Sequence, residues 1–136
     1  MTGRSRVTGS ETVLVVEDEA AIRQLTNLIL QKAGYTVLLA ESPVAAERIA
    51  GSHPGPIHLL LTDVVMPGMR GPELAQRLLR LRPDLRVLYM SGYIDNAIAR
   101  QGLLHAGAEF LQKPFTPDGL TRKIREVLDA PHNSAI

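Results

Sequence analysis

The chain has 136 residues, of which 45% are hydrophobic and 21% charged, proportions that suit one globular domain with a buried core. Lys and Arg number 15 and Asp and Glu 14, so the net charge of +1 provides no strong field to draw the chain to nucleic acid or to a membrane surface. Cysteine is absent, which excludes disulfides and thiol chemistry, and no apolar run approaches the ~20 residues of a membrane-spanning helix.

Apolar, β-branched runs alternate with segments of helical periodicity along the chain. The first run, residues 12–16, stops at Glu17, and apolar residues then recur at the spacing of a helix that ends before Gly34. The later predicted elements are strands over 36–40, 57–62, 86–90 and 109–112, and helices over 43–50, 72–81, 95–105 and 117–128. Five strands that alternate with five helices predict an α/β fold with a parallel sheet covered on both faces.

Polar residues stand where four of the predicted strands end. Glu17 and Asp18 follow the first strand, Asp63 follows the third, Ser91 the fourth and Lys113 the fifth. In an open parallel sheet, ligands bind outside the carboxyl ends of the strands, near the point where the strand order reverses. We therefore expect these side chains to converge on one crevice.

The residue types in this crevice suit phosphoryl transfer to a carboxylate. Asp63 can attack phosphorus, and the approach of two anions then calls for a divalent cation. Glu17 and Asp18 add hard oxygen ligands of the kind that Mg²⁺ takes alongside several waters. The Lys113 ammonium can pair with one phosphoryl oxygen, and the Ser91 hydroxyl can donate to another.

Each of these residues also has a plainer interpretation. Acidic residues such as Glu17 are common at helix N-termini, and Asp63 precedes a Pro-Gly turn at residues 67–68. Ser91 is followed by a turn-forming glycine, and a surface lysine before a proline is usually only solvated. Their joint placement at the ends of different strands favours the functional interpretation.

Four segments carry a resemblance to a known family. They read VLVVEDE at 13–19, LLTDVVMPG at 60–68, VLYMSGY at 87–93 and FLQKPF at 110–115. In this order they resemble the receiver domain of two-component signalling over nearly all of residues 11–130. The resemblance implies a flavodoxin-like (βα)5 three-layer fold with a parallel five-stranded sheet in the order 2-1-3-4-5.

The resemblance also implies roles for the residues that match the family's motifs. Asp63 would accept a phosphoryl group from the phosphohistidine of a histidine kinase or a histidine phosphotransfer domain. Mg²⁺, with Mn²⁺ able to substitute, would be bound directly by Asp18 and Asp63, through water by Glu17, and by the backbone carbonyl of Val65.

The same resemblance implies a phosphorylation switch. Ser91 and Lys113 would hold phosphoryl oxygens, and the Lys113–Pro114 peptide bond would be cis. When Ser91 moves toward the phosphoryl group, Phe110 would rotate into the vacated space. The altered surface, and a homodimer contact, would be the face formed by the predicted helix at 95–105, the last strand and the last helix.

The sequence departs from the family pattern at three positions. Glu17 stands where members often have Asp, and Val65 and Tyr93 flank the attack path where many members carry polar residues. We expect this apolar and aromatic pair to slow self-dephosphorylation. Beyond self-phosphorylation and slow self-dephosphorylation we expect no enzyme activity of this domain, although a parent chain could be a histidine kinase.

Two other functions remain open from the residues alone. A phosphatase of the haloacid dehalogenase type also uses a strand-end Asp and Mg²⁺, but it needs a second acid two residues later, where this chain has Val65. A receiver-like interaction module that is not phosphorylated would keep only the fold. The complete set of acid, Asp, Ser and Lys residues stands against that alternative.

The domain limits are also predictions from composition. Residues 1–10 read as a linker or as residues added for expression, 11–130 as the receiver domain, and 131–136 as a C-terminal tail. The sequence around Ser91 and Lys113 resembles that of receivers at the C-terminal end of hybrid sensor histidine kinases. The alternative is that the domain is a stand-alone regulator. We expect a cytoplasmic location without direct nucleic-acid contact or membrane insertion, although a parent protein could be membrane-attached.

Overall fold

Strands and helices alternate through residues 8–92 and 108–131, which are the residues that the computed structural model describes. The described elements are β1 (Thr12–Val16), α1 (Ala20–Lys32), β2 (Thr36–Ala40), α2 (Pro43–Ser52), β3 (Leu59–Asp63), α3 (Gly71–Leu81), β4 (Arg86–Gly92), β5 (Glu109–Lys113) and α4 (Pro117–Asp129). The predicted helix at 95–105 lies outside the described residues. None of the helices within them combines the length and the apolar character that crossing a bilayer demands.

The five strands form one parallel sheet in the order β2-β1-β3-β4-β5, which confirms the predicted fold and strand order. The chain leaves β1 toward β2 on one side and returns to β3 on the other, so the order reverses between β1 and β3. In the register of these two strands Val16 pairs with Thr62. Glu17 directly follows β1 and Asp63 is the last residue of β3, and they therefore emerge side by side at this reversal point.

Both faces of the sheet are buried, which explains the unbroken apolar runs of β1 and β3. Leu14 and Val16 pack with α2 and α3 on one face, whereas Val13 and Val15 pack with α1 and α4 on the other. The four side chains are fully buried. The central strands are thus fixed from both sides, and so are the residues at their carboxyl ends.

Helix α1 ends at Lys32, and Gly34 follows it as the predicted C-terminal cap. Gly34 has φ 101°, a backbone conformation that favours glycine. Its amide donates to the Gln31 carbonyl at 3.0 Å, and the Tyr35 amide donates to the Leu30 carbonyl at 3.1 Å. This pair of bonds is a Schellman motif, which satisfies two carbonyls of the last helical turn and turns the chain into β2.

The structure differs from the prediction at the start of β3. The strand begins at Leu59 instead of residue 57, because the His58 side chain takes part in the pairing with β1. The Thr12 amide donates to His58 Nδ1 at 2.9 Å, where a backbone carbonyl would otherwise accept. Three strands also run further than predicted at their carboxyl ends, so that Asp63, Ser91 and Lys113 belong to β3, β4 and β5.

Arginines close the opposite, amino-terminal end of the sheet. Arg82 donates to the carbonyls of Ala50 in α2 and of His53 and Gly55 after it, at 2.8 to 3.0 Å. Arg86 donates from β4 to the carbonyls of Val127 and Ala130 at the end of α4. Guanidinium groups can satisfy several carbonyls at once, and these contacts tie the loops at this end to the helices.

Arg125 of α4 joins the two ends of the described chain. Its Nη2 lies 2.7 Å from Glu11 Oε2 and 2.7 Å from Asp129 Oδ1. Its Nη1 donates to Glu11 Oε1 at 3.0 Å, to the Tyr35 hydroxyl at 3.3 Å and to the Thr8 carbonyl at 3.3 Å. The hydrogen bonds from Arg125 lower the pKa of Glu11 to about 2.

The Glu11→Gln variant should lose about 1 kcal/mol of unfolding free energy near neutral pH, the upper end for a partly exposed ion pair. Because folding lowers the pKa of Glu11 from 4.5, its contribution is present above that pH and is lost as the pH falls toward about 2. Urea denaturation should therefore show wild type and variant converging in acid. The matched control is Glu41→Gln, which changes an exposed carboxylate. If the difference in unfolding free energy between wild type and Glu11→Gln stayed constant through this pH range, the prediction would be contradicted.

Candidate functional site

Three carboxylates meet at the carboxyl ends of β1 and β3. Glu17 is 1% exposed and Asp63 6%, whereas Asp18 faces solvent. One oxygen from each of the three lies within 4.8 Å of the others. The register of β1 and β3 brings the two buried carboxylates together, and the turn into α1 adds the third.

Lys113 reaches this cluster from the end of β5. Its Nζ lies 2.8 Å from Glu17 Oε1 and 2.6 Å from Asp63 Oδ1. Gly92, the residue of β4 that pairs with Lys113, has no side chain to stand between β5 and β3. The Lys113–Pro114 peptide bond is cis, the geometry that the resemblance implies.

The ionisation of Asp63, Glu17 and Lys113 is linked. Burial raises the pKa of Asp63 to about 7, with Glu17 adding to the rise and Lys113 opposing it. Burial also opposes the charge on Glu17, but hydrogen bonds from Lys113, Asp63 and the Glu19 amide hold its pKa below the ordinary value. Burial likewise opposes the charge on Lys113, and its contacts with Asp63 and Glu17 outweigh that effect and raise its pKa. The Glu17–Lys113 pair is therefore favoured in its charged form, and of the two buried carboxyl groups Asp63 is the one whose pKa is raised.

The donor set fits a divalent cation. Three carboxylates are matched by one ammonium group, so the cluster keeps an excess of negative charge when all are ionised. The oxygens are hard ligands, and the exposed Asp18 leaves one side open to water. Mg²⁺ prefers this kind of site, with a few carboxylates and several retained waters.

Ser91 lies at the same end of the sheet, one residue after the partner of Asp63 in the β3–β4 pairing. It is 1% exposed, and its Oγ has no hydrogen-bond partner among the residues that the structure describes. Leaving a buried hydroxyl unpaired costs about 1–3 kcal/mol. A buried group of this kind is suited to bind a ligand oxygen.

The loop after β3 is fixed at both of its ends. The Val64 amide donates to the Met90 carbonyl at 3.1 Å, and the Gly71 amide donates to the Val64 carbonyl at 2.8 Å. Between the buried residues Val64 and Met66, Val65 is 49% exposed at the mouth of the crevice. The start of α3 is therefore held directly against the backbone that follows Asp63.

Two residues of this region were missed by the sequence reasoning. A Cβ at Gly71 would collide with the Asp63 carbonyl oxygen, so the close approach of α3 requires glycine. Its signal in the sequence is a glycine directly before the proline that opens a predicted helix. The second residue is Arg23, whose Nη1 donates to the Glu17 carbonyl at 2.8 Å. The feature of the sequence that could have indicated it is a basic residue near the start of a predicted helix.

Phe110 lies on the edge strand β5, away from the carboxylates. It pairs with Tyr89 of β4, and the two ring centroids are 5.7 Å apart with an interplanar angle of 37°. Phe110 is partly buried against the core that includes Tyr89. Tyr93 and the predicted helix at 95–105 lie outside the described residues, so only β5 and α4 of the expected output face are described.

Comparison with known sequences gives one family. The sequence model of the response regulator receiver domain matches residues 13–125. Over 123 residues the chain is 41% identical to the sensor kinase CckA of Brucella abortus (strain 2308), an alignment that covers 90% of this chain and 13% of CckA. It is 35% identical over 119 residues to the response regulator receiver protein CpdR of the same strain, covering 87% of this chain and 97% of CpdR.

Solved structures of the same kind superpose on the chain. The receiver domain of the hybrid histidine kinase CckA matches with a TM-score of 0.72 and 33% identity, over 86% of this chain and 98% of that one. A CheY-like receiver domain protein from Methanospirillum hungatei JF-1 matches with a TM-score of 0.77 and 31% identity, over 89% of this chain and 95% of that one.

The Lys113→Met variant should lose roughly 3 kcal/mol of unfolding free energy in metal-free buffer, because two buried carboxylates lose their counter-charge. Lys123→Met is the matched control, since the partners of Lys123 are the exposed side chains of Glu109 and Glu126. That variant should lose less than about 1 kcal/mol. Urea denaturation measures both losses, and equally small values would show that Lys113 does not stabilise the cluster.

Proposed function

Because the chain belongs to the response regulator receiver domain family, with residues 13–125 matched, we propose that it is a phosphoacceptor that receives a phosphoryl group on Asp63. The observation that carries this proposal is the contact of Lys113 with both Glu17 and Asp63, next to the exposed carboxylate of Asp18. A buried nucleophile, a fixed ammonium group and a set of hard oxygen ligands then share one crevice. These are the groups that phosphoryl transfer to a carboxylate requires.

The proposed step transfers a phosphoryl group from a histidine nitrogen of the donor to a carboxylate oxygen of Asp63. A carboxylate oxygen of Asp63 attacks the phosphorus of a phosphohistidine on a histidine kinase or a histidine phosphotransfer domain. The P–N bond breaks, and its electron pair returns to the imidazole of the donor. Lys113 lies close enough to Asp63 to pair with a phosphoryl oxygen, and the Ser91 hydroxyl can donate to another.

We assign the cation site to Asp18, Asp63 and the Val65 carbonyl, with Glu17 acting through water. Mg²⁺ or Mn²⁺ bound there supplies positive charge that offsets the repulsion between the carboxylate and the phosphoryl oxygens. The Glu17 oxygens already accept from Lys113 Nζ and from the Glu19 amide, which supports an indirect role for this residue. Asp18 has the solvent exposure that a direct ligand to a hydrated ion needs.

Phosphorylation of Asp63 would change the positions of the Ser91 and Phe110 side chains. The phosphoryl group brings acceptor oxygens to the buried Ser91 Oγ, which has no partner among the described residues. As Ser91 moves toward the new oxygen, Phe110 can turn inward from its place beside Tyr89. The face that then changes is formed by the predicted helix at 95–105, β5 and α4, and it is the proposed surface for an output partner or a second copy of the chain.

The wider context of the domain is also a proposal. We place the receiver at residues 11–130, in the cytoplasm, either at the C-terminal end of a hybrid sensor histidine kinase or as a stand-alone regulator. Similarity to CckA and to CpdR supports one alternative each. Within this domain the chemistry is limited to self-phosphorylation and slow self-dephosphorylation.

Incubation with acetyl phosphate and Mg²⁺ should add the mass of one phosphoryl group to the intact protein. Asp63→Asn should abolish the gain because the nucleophile is lost, and EDTA should abolish it because the cation is removed. Mass spectrometry of the intact protein measures the adduct. If neither acetyl phosphate nor beryllofluoride bound the wild type, the chain would be the unphosphorylated interaction module.

The Val65→Asn variant should shorten the lifetime of the phosphorylated protein several-fold. The half-exposed Val65 side chain cannot hold a hydrolytic water near Asp63, whereas an amide can. Decay of the phosphorylated mass after removal of the donor measures the lifetime. Val44→Asn is the matched control at another exposed valine, and an unchanged lifetime in Val65→Asn would contradict the role of Val65.

A further inference from the structure

Arg23 of α1 contacts the backbone of the acidic segment at residues 17–19. Long side chains of a helix point back toward its N-terminus, and Arg23 follows this rule. Its Nη1 donates to the Glu17 carbonyl at 2.8 Å, while its own amide donates to the Glu19 carbonyl at 2.9 Å. The residue therefore spans from the first turns of α1 to the end of β1.

The charge of Arg23 is unfavourable for the helix itself. The N-terminus of a helix carries partial positive charge, and a cation near it costs about 0.3–1 kcal/mol. The first turn of α1 contains no acidic residue, and the N-cap Glu19 makes no side-chain capping bond, so the carboxylates that can offset this charge are those of the acidic segment at residues 17–19. The helix dipole therefore does not favour arginine here, and the contacts through which Arg23 acts are those with the acidic segment, above all the bond to the Glu17 carbonyl.

That bond acts on the part of the backbone from which Asp18 extends. The Glu17 carbonyl and the Asp18 amide belong to one rigid peptide plane. On the other side of Glu17, its amide is held by the Ala40 carbonyl at 3.1 Å. Arg23 therefore fixes the orientation of the peptide plane that carries the exposed Asp18.

We infer that Arg23 is a positioning residue, which fixes the Glu17–Asp18 peptide plane so that the Asp18 carboxylate stays turned toward Glu17 and Asp63. The inference rests on the proposed function, in which Asp18 is a direct ligand of the cation. Partners that orient a metal ligand commonly change metal affinity by about 10-fold or more when they are removed. A positive charge near the site that did no positioning would have the opposite effect, because its removal would strengthen cation binding.

The sign of the change in Mg²⁺ affinity separates these two roles. Isothermal titration calorimetry should show that Arg23→Gln weakens Mg²⁺ binding roughly 10-fold. Arg23→Lys keeps the charge but lacks the planar group with several donors, and it should also bind more weakly than the wild type. Arg70→Gln is the matched control, because it removes an exposed arginine from the N-cap of α3 at the same end of the sheet, and it should bind Mg²⁺ as tightly as the wild type or more tightly.

A second measurement needs no cation. The Glu19 amide donates to Glu17 Oε2 at 3.1 Å, so its hydrogen exchange reports on the order of the acidic segment. This exchange should be faster in metal-free Arg23→Gln than in the wild type and unchanged in Arg70→Gln. Thermal denaturation would show that each variant is folded at the temperature of these measurements.

The outcomes distinguish this inference from the proposed function. Wild-type affinity or tighter binding in Arg23→Gln, beside a wild type that binds Mg²⁺, would overturn the positioning role alone. Wild-type affinity in Arg23→Lys combined with tighter binding in Arg23→Gln would identify Arg23 as a nearby charge only. A wild type that binds no Mg²⁺ would overturn both the cation site and the inference that rests on it.

Discussion

Two carboxylates buried side by side are the constraint on which the rest of the site depends. Glu17 and Asp63 leave neighbouring strands at the same level, so their charges repel in a place that water reaches poorly. Lys113 offsets that repulsion by contacting both carboxylates. It does so from β5, which lies two strands from β3 on the side away from β1. The sheet order is therefore a requirement of the site as well as a property of the fold, because only strands that end at one edge bring these groups together.

The two ends of the sheet differ in the groups that their side chains contact. At the amino ends, Arg82, Arg86 and Arg125 satisfy backbone carbonyls and carboxylates of the loops and helices. At the carboxyl ends Lys113 joins two buried carboxylates, and the buried Ser91 hydroxyl has no hydrogen-bond partner among residues 8–92 and 108–131. A closed end anchors the strands, and an end with excess negative charge and an unpaired hydroxyl can respond to a ligand.

The fold and the main residues of the candidate site could be predicted because they depend on strong local patterns. Apolar runs that end at acids, a serine and a lysine predicted a parallel sheet and the convergence of Asp63, Ser91 and Lys113, since parallel strands end at one edge, whereas the strand order came from the resemblance to the receiver domain. The start of β3 could not be predicted, because a His58 side chain that replaces a backbone acceptor leaves no periodic signal. Gly71 and Arg23 were missed for a related reason: each contacts the main chain of a residue six to eight positions earlier, and side-chain patterns do not report contacts with the main chain.

The bond between Glu11 and Arg125 has a consequence for how such a domain is joined to others. It brings the segment before β1 and the last described helix together at the amino ends of the strands, on the side of the sheet opposite the acidic crevice. Peptide linkers that continue from the segment before β1 and from the end of α4 would thus start at the same end of the domain, away from the acidic crevice. With its entry and exit adjacent, the unit could also be inserted into a surface loop of another protein with little change to the host's chain path.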